Sequence, residues 1–106
     1  MNLEWNEHPE AREEFLAAHA RYLEIEDGSL ADQFVDVLES AIQLILDWPD
    51  APPPYSGRRR NPMIRTWHVG KFPYNIIHTV REGEIVVIAY ARESRRPGYW
   101  VHRLSD

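Results

Sequence analysis

A two-residue turn at Glu82-Gly83, between two apolar segments, constrains this fold more than any other feature of the chain. The flanking segments, residues 72–81 and 84–92, are rich in the β-branched and aromatic residues that favour strands. A two-residue loop that ends in glycine is typical of a β-hairpin, and it fixes which residues face each other. Arg81 is therefore predicted to pair with Glu84.

The same register assigns side chains to the two faces of the hairpin. It places Thr79 opposite Val86, Ile77 opposite Ile88 and Asn75 opposite Tyr90. One face is nearly all apolar and should pack against helices, with His78 as a satisfied core residue; it carries Phe72, Tyr74, Ile76, Val80, Ile85, Val87, Ala89 and Ala91. The other face carries Asn75, Thr79, Arg81, Tyr90 and Arg92 around Ile77, Val86 and Ile88. It is either a recognition surface or a solvated face partly covered by Tyr99 and Trp100.

Two apolar stripes at helical spacing predict two helices in the first half of the chain. Pro9 opens a helix of about 18 residues, and Gly28 is a candidate left-handed cap after it. Its stripe comprises Ala11, Phe15, Ala18, Tyr22 and Ile25. Ser29 and Asp32 resemble a capping box that opens the second helix, which Pro49 ends. Its stripe comprises Leu30, Phe34, Val37, Ala41, Leu44 and Trp48, widened by Leu38, Ile42 and Ile45.

The remaining segments complete a single α+β domain over residues 1–106. Leu3 and Trp5 alternate with polar residues and predict a short first strand. The two helices are joined by only two or three residues and should form an antiparallel hairpin. After a proline-rich spacer at residues 52–57, a strand at 63–69 precedes the hairpin strands. The expected architecture is therefore a short strand and a helical hairpin packed on an antiparallel sheet.

Composition narrows the class of protein. The chain has 106 residues and no cysteine, which excludes disulfides, thiolate metal sites and a cysteine nucleophile. No apolar run approaches the ~20 residues of a membrane span, and no signal peptide is recognisable. We expect a cytoplasmic protein without a membrane partner. The five histidines show no ligand-like spacing and no nucleotide loop is present, so no metal and no cofactor are expected.

Charge is divided unevenly along the chain. Residues 1–50 carry thirteen acids and two arginines, whereas residues 51–106 carry ten basic residues and four acids. Eleven of the twelve basic residues are arginine, which suits bidentate recognition of carboxylate or phosphate. The bland alternative is a basic sheet that is simply solvated. The candidate partner-binding residues are Arg58, Arg60, Arg65, Asn75, Arg81, Tyr90, Arg92, Arg95, Arg96 and Trp100.

Three features together resemble the RelE/ParE superfamily of toxins from type II toxin–antitoxin modules. They are the acidic two-helix segment with its proline-marked loop, the Phe72-Pro73-Tyr74 strand start, and the ending Arg95-Arg96-Pro97-Gly98-Tyr99-Trp100. The resemblance covers nearly the whole chain. It implies a growth-arresting toxin, of the kind linked to plasmid stabilisation, that is held inactive in a complex with an antitoxin encoded beside it.

The resemblance implies one of two targets. ParE-like members inhibit DNA gyrase without catalysing a reaction, whereas RelE-like members cut mRNA in the ribosome. Many relatives carry a histidine where this chain has Arg92, and arginine cannot act as an ordinary general base. If the chain is an endonuclease, Arg65, Arg81, Tyr90 and Arg92 are the candidate catalytic residues. We favour gyrase inhibition; mRNA cleavage and a fold that has lost toxicity remain open.

Overall fold

Two α-helices cover one face of a four-stranded sheet in the computed structural model, which describes residues 3–105. The helices are α1 (Pro9–Leu23) and α2 (Ser29–Asp47). The strands are β1 (Glu4–Glu7), β2 (Arg65–His68), β3 (Tyr74–Arg81) and β4 (Glu84–Arg92). A 3-10 turn at Val101–Ser105 follows the last strand. No helix in the described part of the chain is long and apolar enough to span a membrane.

The sheet has the strand order β1-β4-β3-β2, and it is mixed. β2, β3 and β4 pair antiparallel, as expected, but β1 joins the edge of β4 in parallel, with Trp5 beside Ile85. The predicted α+β class and the helical hairpin on a sheet are confirmed, whereas the prediction of an antiparallel sheet is wrong for β1. The alternation of Leu3 and Trp5 identifies a strand but not its neighbour.

The turn between β3 and β4 has the predicted geometry. Glu82 and Gly83 both have positive φ, at 50° and 80°, which matches a turn that favours glycine and twists with the flanking strands. Arg81 pairs with Glu84 and Thr79 with Val86, so the predicted register is confirmed next to the turn.

A β-bulge at Ile88 changes the register beyond that point. His78 pairs with Val87 but Ile77 pairs with Ala89, so Ile88 is left unpaired. The predicted pairs of Ile77 with Ile88 and of Asn75 with Tyr90 are therefore wrong. One extra residue on β4 moves every later side chain to the other face.

The bulge has direct consequences for the two faces. Tyr90 now lies opposite Ile76, on the helix face, and Arg92 lies opposite Tyr74. Ala89 and Ala91, predicted on the helix face, pack on the opposite face instead. The predicted polar face of Asn75, Thr79, Arg81, Tyr90 and Arg92 does not exist as one surface, and Thr79 is buried with its hydroxyl donating to the Met63 carbonyl.

The helix ends differ from the sequence prediction. α1 stops at Leu23, so Ile25 is 39% exposed and the connection, residues 24–28, is five residues long. Gly28, with φ of 80°, directly precedes α2 rather than capping α1, and no side chain caps that helix. The Ser29 N–H instead donates to Asp27 Oδ1 at 3.0 Å. Trp48 follows the end of α2 and is 69% exposed, so its predicted place in the core is wrong.

Two apolar clusters fill the two sides of the sheet. The helix-side core lies between the helices and the sheet and is centred on Phe34, whose ring lies 5.3 Å from Tyr22, 5.2 Å from Phe72 and 5.6 Å from Tyr74. The C-terminal-side core lies on the opposite face and comprises Ile64, Ile77, Ile88, Ala89 and Trp100. Each face of the sheet is therefore covered, one by helices and the other by irregular chain.

Candidate functional site

The edge of β4 beyond the bulge is completed by side chains rather than by a strand. β1 pairs with β4 only as far as Val87. Past that point the Tyr90 N–H donates to Glu14 Oε1 at 3.1 Å, and the Ile88 carbonyl accepts from Arg103 Nη1 at 3.0 Å. Backbone groups at a sheet edge need partners when they are covered, and these two residues supply them.

Glu14 and Arg103 also tie the C-terminal segment to α1. Arg103 is only 5% exposed and donates to both carboxylate oxygens of Glu14, at 2.9 and 3.2 Å. The Tyr99 hydroxyl donates to the same carboxylate, and burial together with that carboxylate raises the pKa of Tyr99 above its ordinary value. The Glu14 carboxylate thus fixes Tyr99 and the turn at 101–105 over the C-terminal-side core.

This closure shapes a cavity of about 340 Å³ at the end of the sheet, here called the arginine-lined cavity. Trp100 and Tyr55 form part of its lining, with ring centroids 4.9 Å apart in a T-shaped contact. Polar and charged lining comes from Asn75 on β3, from Arg92 at the end of β4, and from the arginine loop (residues 93–98). The cavity therefore combines an aromatic wall with several guanidinium groups.

The arginines of this cavity form no ion pair within the described residues, although Glu93 also contributes to the lining. Among residues 3–105, no carboxylate lies within 4.0 Å of Arg92, Arg95 or Arg96. Arg95 lies over the Tyr99 ring, 3.9 Å from its centroid. Unpaired guanidinium groups beside aromatic rings suit recognition of carboxylates or phosphates on a partner.

Half of the ten partner-binding residues predicted from sequence line this cavity. Asn75, Arg92, Arg95, Arg96 and Trp100 line it. Trp100, however, is a buried wall residue, so it shapes the cavity more than it presents a free surface.

Two further predicted arginines lie near or outside the arginine-lined cavity. Arg60 supports the cavity wall, because it donates to the Tyr55 carbonyl at 2.9 Å and lies 5.2 Å from the Tyr55 ring. Arg58 is exposed and outside the lining.

Arg65 and Arg81 are not part of the same surface. Arg65 donates to the carbonyls of Asp50 and Pro52, at 3.2 and 2.7 Å, and so holds the loop after α2. Arg81 lies beside the hairpin turn, while Arg92 lies at the other end of β4. At ~3.3 Å per residue the two positions are more than about 20 Å apart, so the expected arginine pair does not form.

Tyr90 was predicted on an open polar face, and this prediction is wrong. The bulge turns its ring into the helix-side core, where it is 2% exposed and packs near Phe15. Its hydroxyl donates to Glu7, and burial is the main cause that raises its pKa far above the ordinary value. The four candidate catalytic residues therefore occupy four separate places.

Sequence reasoning missed the residues that build the cavity. Tyr55 lies in the proline-rich spacer, and Glu14 is one of three acids on α1. Arg103 offered only a weak signal, since it follows Trp100 by three residues. Glu14 and Arg103 are 89 residues apart, and no local pattern links them.

Comparison with known proteins agrees with this architecture. A search of curated proteins returned no match. A solved structure described as the chromosomal ParDE TA system from P. aeruginosa is similar, with a TM-score of 0.67 and 15% identity over 85% of this chain and 95% of that chain. At that identity the likeness shows the fold alone. The family model for the ParE toxin of the type II toxin-antitoxin system parDE matches residues 8–100. The sequence-based resemblance is thereby confirmed, and the chain belongs to the ParE toxin family of type II toxin–antitoxin systems.

Proposed function

We propose that this toxin arrests bacterial growth by inhibiting DNA gyrase through protein contacts, without breaking a covalent bond itself. Membership of the ParE toxin family supports the assignment of this chain as a toxin whose partner is a cognate antitoxin. The choice of gyrase over the ribosome rests on the arrangement of side chains. In this account the chain acts in the cytoplasm, and it is stored in a toxin–antitoxin hetero-oligomer.

The buried position of Tyr90 carries the proposal. RNA cleavage by attack of a 2′-hydroxyl needs a base, an acid and a group that stabilises charge around one phosphate. The tyrosine hydroxyl is committed to Glu7 beneath α1, and Arg65 is committed to backbone carbonyls. Only Arg92 of the four candidate catalytic residues reaches the arginine-lined cavity, and a single arginine supplies no base.

The charge of the molecule favours a protein target over a nucleic acid. The chain has a net charge of −5, and its first fifty residues carry most of the acids. Nucleic-acid binding draws most of its affinity from neutralised phosphates over an extended basic surface. Here three arginines without a carboxylate partner in the described residues, Arg92, Arg95 and Arg96, line one cavity with an aromatic wall, which suits a few carboxylates on a protein surface.

Contacts of this kind are strong enough to matter for inhibition. A charge-assisted hydrogen bond contributes about 1.5–3 kcal/mol to binding. The binding free energy of a micromolar complex is about 8 kcal/mol. Two arginines that each bind a carboxylate would therefore supply a large share of it. In this account Arg92 and Arg96 bind the target, the half-buried Tyr55 provides the apolar part of the contact, and the buried Trp100 supports the wall behind it.

The test runs two assays side by side on the purified toxin. One measures inhibition of DNA supercoiling by gyrase, and the other measures cleavage of mRNA on translating ribosomes. We expect loss of supercoiling without mRNA cleavage, and restoration of supercoiling when the cognate antitoxin is added. Arg59 is an exposed arginine outside the arginine-lined cavity. The Arg59→Ala variant is therefore a control, and it should inhibit supercoiling as strongly as the unaltered chain. Ribosome-dependent cleavage with normal supercoiling would overturn the proposal in favour of a RelE-like endonuclease.

A further inference from the structure

A second, smaller cavity of about 180 Å³ lies between α1 and the arginine loop. Its lining includes Arg21 from the last turn of α1, Tyr74 at the start of β3, Arg92 at the end of β4, and Ser94 and Arg95 from the loop. Sequence reasoning did not single out Arg21. The structure places Arg21 in the lining of this cavity, which shares Arg92, Arg95 and Tyr99 with the arginine-lined cavity.

The charges around this smaller cavity are not balanced by the chain. Glu14 is the one carboxylate in its lining, and its oxygens are already occupied by Arg103, the Tyr99 hydroxyl and the Tyr90 N–H. No carboxylate within residues 3–105 lies within 4.0 Å of Arg21, Arg92 or Arg95. Three positive charges therefore converge on one small space without a counter-charge of their own.

Two of the three arginines, Arg21 and Arg95, are held by side chains from different parts of the fold. The Arg21 guanidinium donates to the hydroxyl of Tyr74, whose side chain is buried. Arg95 rests on the Tyr99 ring, and Tyr99 is in turn held by Glu14. Arg92 lies opposite Tyr74 across the hairpin. The cavity is thus partly preorganised, which lowers the entropic cost of binding a ligand.

We propose that this smaller cavity binds a single oxyanion, either a carboxylate or a phosphate group. The volume is below the ~300–1,000 Å³ typical of pockets for larger ligands, but it accommodates one such group. Guanidinium groups bind both anions through paired, charge-assisted hydrogen bonds. The Tyr74 and Ser94 hydroxyls supply further hydrogen-bonding partners.

The proposal is independent of the target of the toxin. Arg21 and Tyr74 line only the smaller cavity, whereas Arg96 lines only the arginine-lined cavity. Anion binding can therefore be tested without any toxicity assay. A change at Arg21 probes the anion site, and the matched change at Arg96 leaves that site intact.

The experiment is an NMR titration of the full chain with inorganic phosphate and, separately, with acetate, at constant ionic strength set by chloride. We expect saturable shifts at the backbone amides of residues 92–95 and at Arg21. Arg21→Gln should weaken phosphate binding about ten-fold, the loss expected for one charge-assisted contact, while Arg96→Gln should bind like the unaltered chain. Tyr74→Phe should weaken binding less, because it removes an uncharged hydroxyl and frees the Arg21 side chain to move but leaves all three guanidinium groups in place.

The two probes distinguish the possible sources of the ligand. Tighter binding of phosphate than of acetate points to a phosphate ligand, and comparable binding points to the carboxylate of a protein. Melting temperatures of all three variants should match the unaltered chain, so that a loss of binding is not a loss of folding. Linear, non-saturating shifts with both anions, or equal affinities for Arg21→Gln and Arg96→Gln, would overturn the proposal.

Discussion

The two faces of the sheet are closed by different kinds of structure. On one face, α1 and α2 pack their apolar stripes on the strands and build a continuous aromatic cluster around Phe34. On the other face, a smaller cluster is covered by a loop, by Trp100 and by a 3-10 turn that one buried ion pair attaches to α1. The arginine-lined cavity, with Arg92, Arg95 and Arg96 in its lining, lies at the irregular side.

The two faces of the sheet differ in their expected roles: the helical face stabilises the fold, and the opposite face carries the candidate recognition residues. The helical face is covered by two apolar stripes whose residues recur at helical spacing. No single polar contact is therefore essential to this face. The opposite face depends on a few directed hydrogen bonds to Glu14 and Arg103, and it leaves backbone and arginines near the surface. Binding residues are often found on loops that a rigid scaffold positions, and the proposed role of the arginine-lined cavity would follow that division.

The largest effect should come from the centre of the helix-side core. Phe34→Ala removes a fully buried ring, and such truncations cost ~3–5 kcal/mol, against ~5–15 kcal/mol for the whole domain. Urea denaturation should show this loss in the free energy of unfolding. Trp48→Ala, at a 69% exposed position, should change it by less than about 0.5 kcal/mol. Equal losses in the two variants would mean that Trp48 is buried after all.

His78 adds a pH dependence to the stability of the sheet. Its ring is fully buried, Nδ1 lies 3.0 Å from the Ile76 carbonyl, and Nε2 has no hydrogen-bond partner in the described structure. Burial lowers its pKa from 6.5 to about 4. The unfolded chain therefore binds the proton more readily than the folded chain between these two values, and stability falls as the pH drops through this window.

The loss across that window should be about 3 kcal/mol, since one pKa unit corresponds to about 1.4 kcal/mol. Unfolding curves recorded from pH 7 to pH 4 measure it. His78→Leu should flatten the dependence, whereas His102→Asn, at an exposed position, should leave it in place. A slope that persists in His78→Leu would assign the effect to other groups.

Breaking the ion pair should loosen the C-terminal side while the helix side stays folded. Glu14→Gln keeps the shape of the side chain but leaves the buried Arg103 with only the longer contact to Glu10, at 3.7 Å from its Nε, at a cost of about 2 kcal/mol. Hydrogen exchange should accelerate at residues 99–105 before it changes in α2. Glu13→Gln, on the exposed side of α1, is the matched control. Uniform acceleration across both cores would show that the two sides do not unfold separately.

The helix side could be predicted well because its signal repeats along the chain. The apolar stripes identified Phe34, Leu38, Ala41 and Ile45, all of which are buried. The Glu82-Gly83 turn gave the register of the first pairs correctly, since its backbone geometry depends on two residues alone. These features are local, so neighbouring residues are sufficient to specify them.

The candidate site could be predicted only in part, because it depends on one irregularity and on distant contacts. Val86, Val87 and Ile88 are all apolar, so their pattern does not reveal which residue bulges. A single unpaired residue moved Tyr90 from the expected surface into the core. The arginine-rich ending was recognisable from sequence, but the Glu14 contact that orients it joins opposite ends of the chain.

The central claim is that the arginine-lined cavity, rather than the hairpin as a whole, is the working surface. The most direct measurement compares gyrase inhibition by the Arg92→Ala, Arg96→Ala double variant with inhibition by Arg81→Ala. All three arginines lack a carboxylate partner within residues 3–105, but Arg81 lies at the opposite end of the hairpin. We predict at least about ten-fold weaker inhibition for the double variant and unchanged inhibition for Arg81→Ala, with equal melting temperatures. Full inhibition by the double variant, together with loss in Arg81→Ala, would contradict the account.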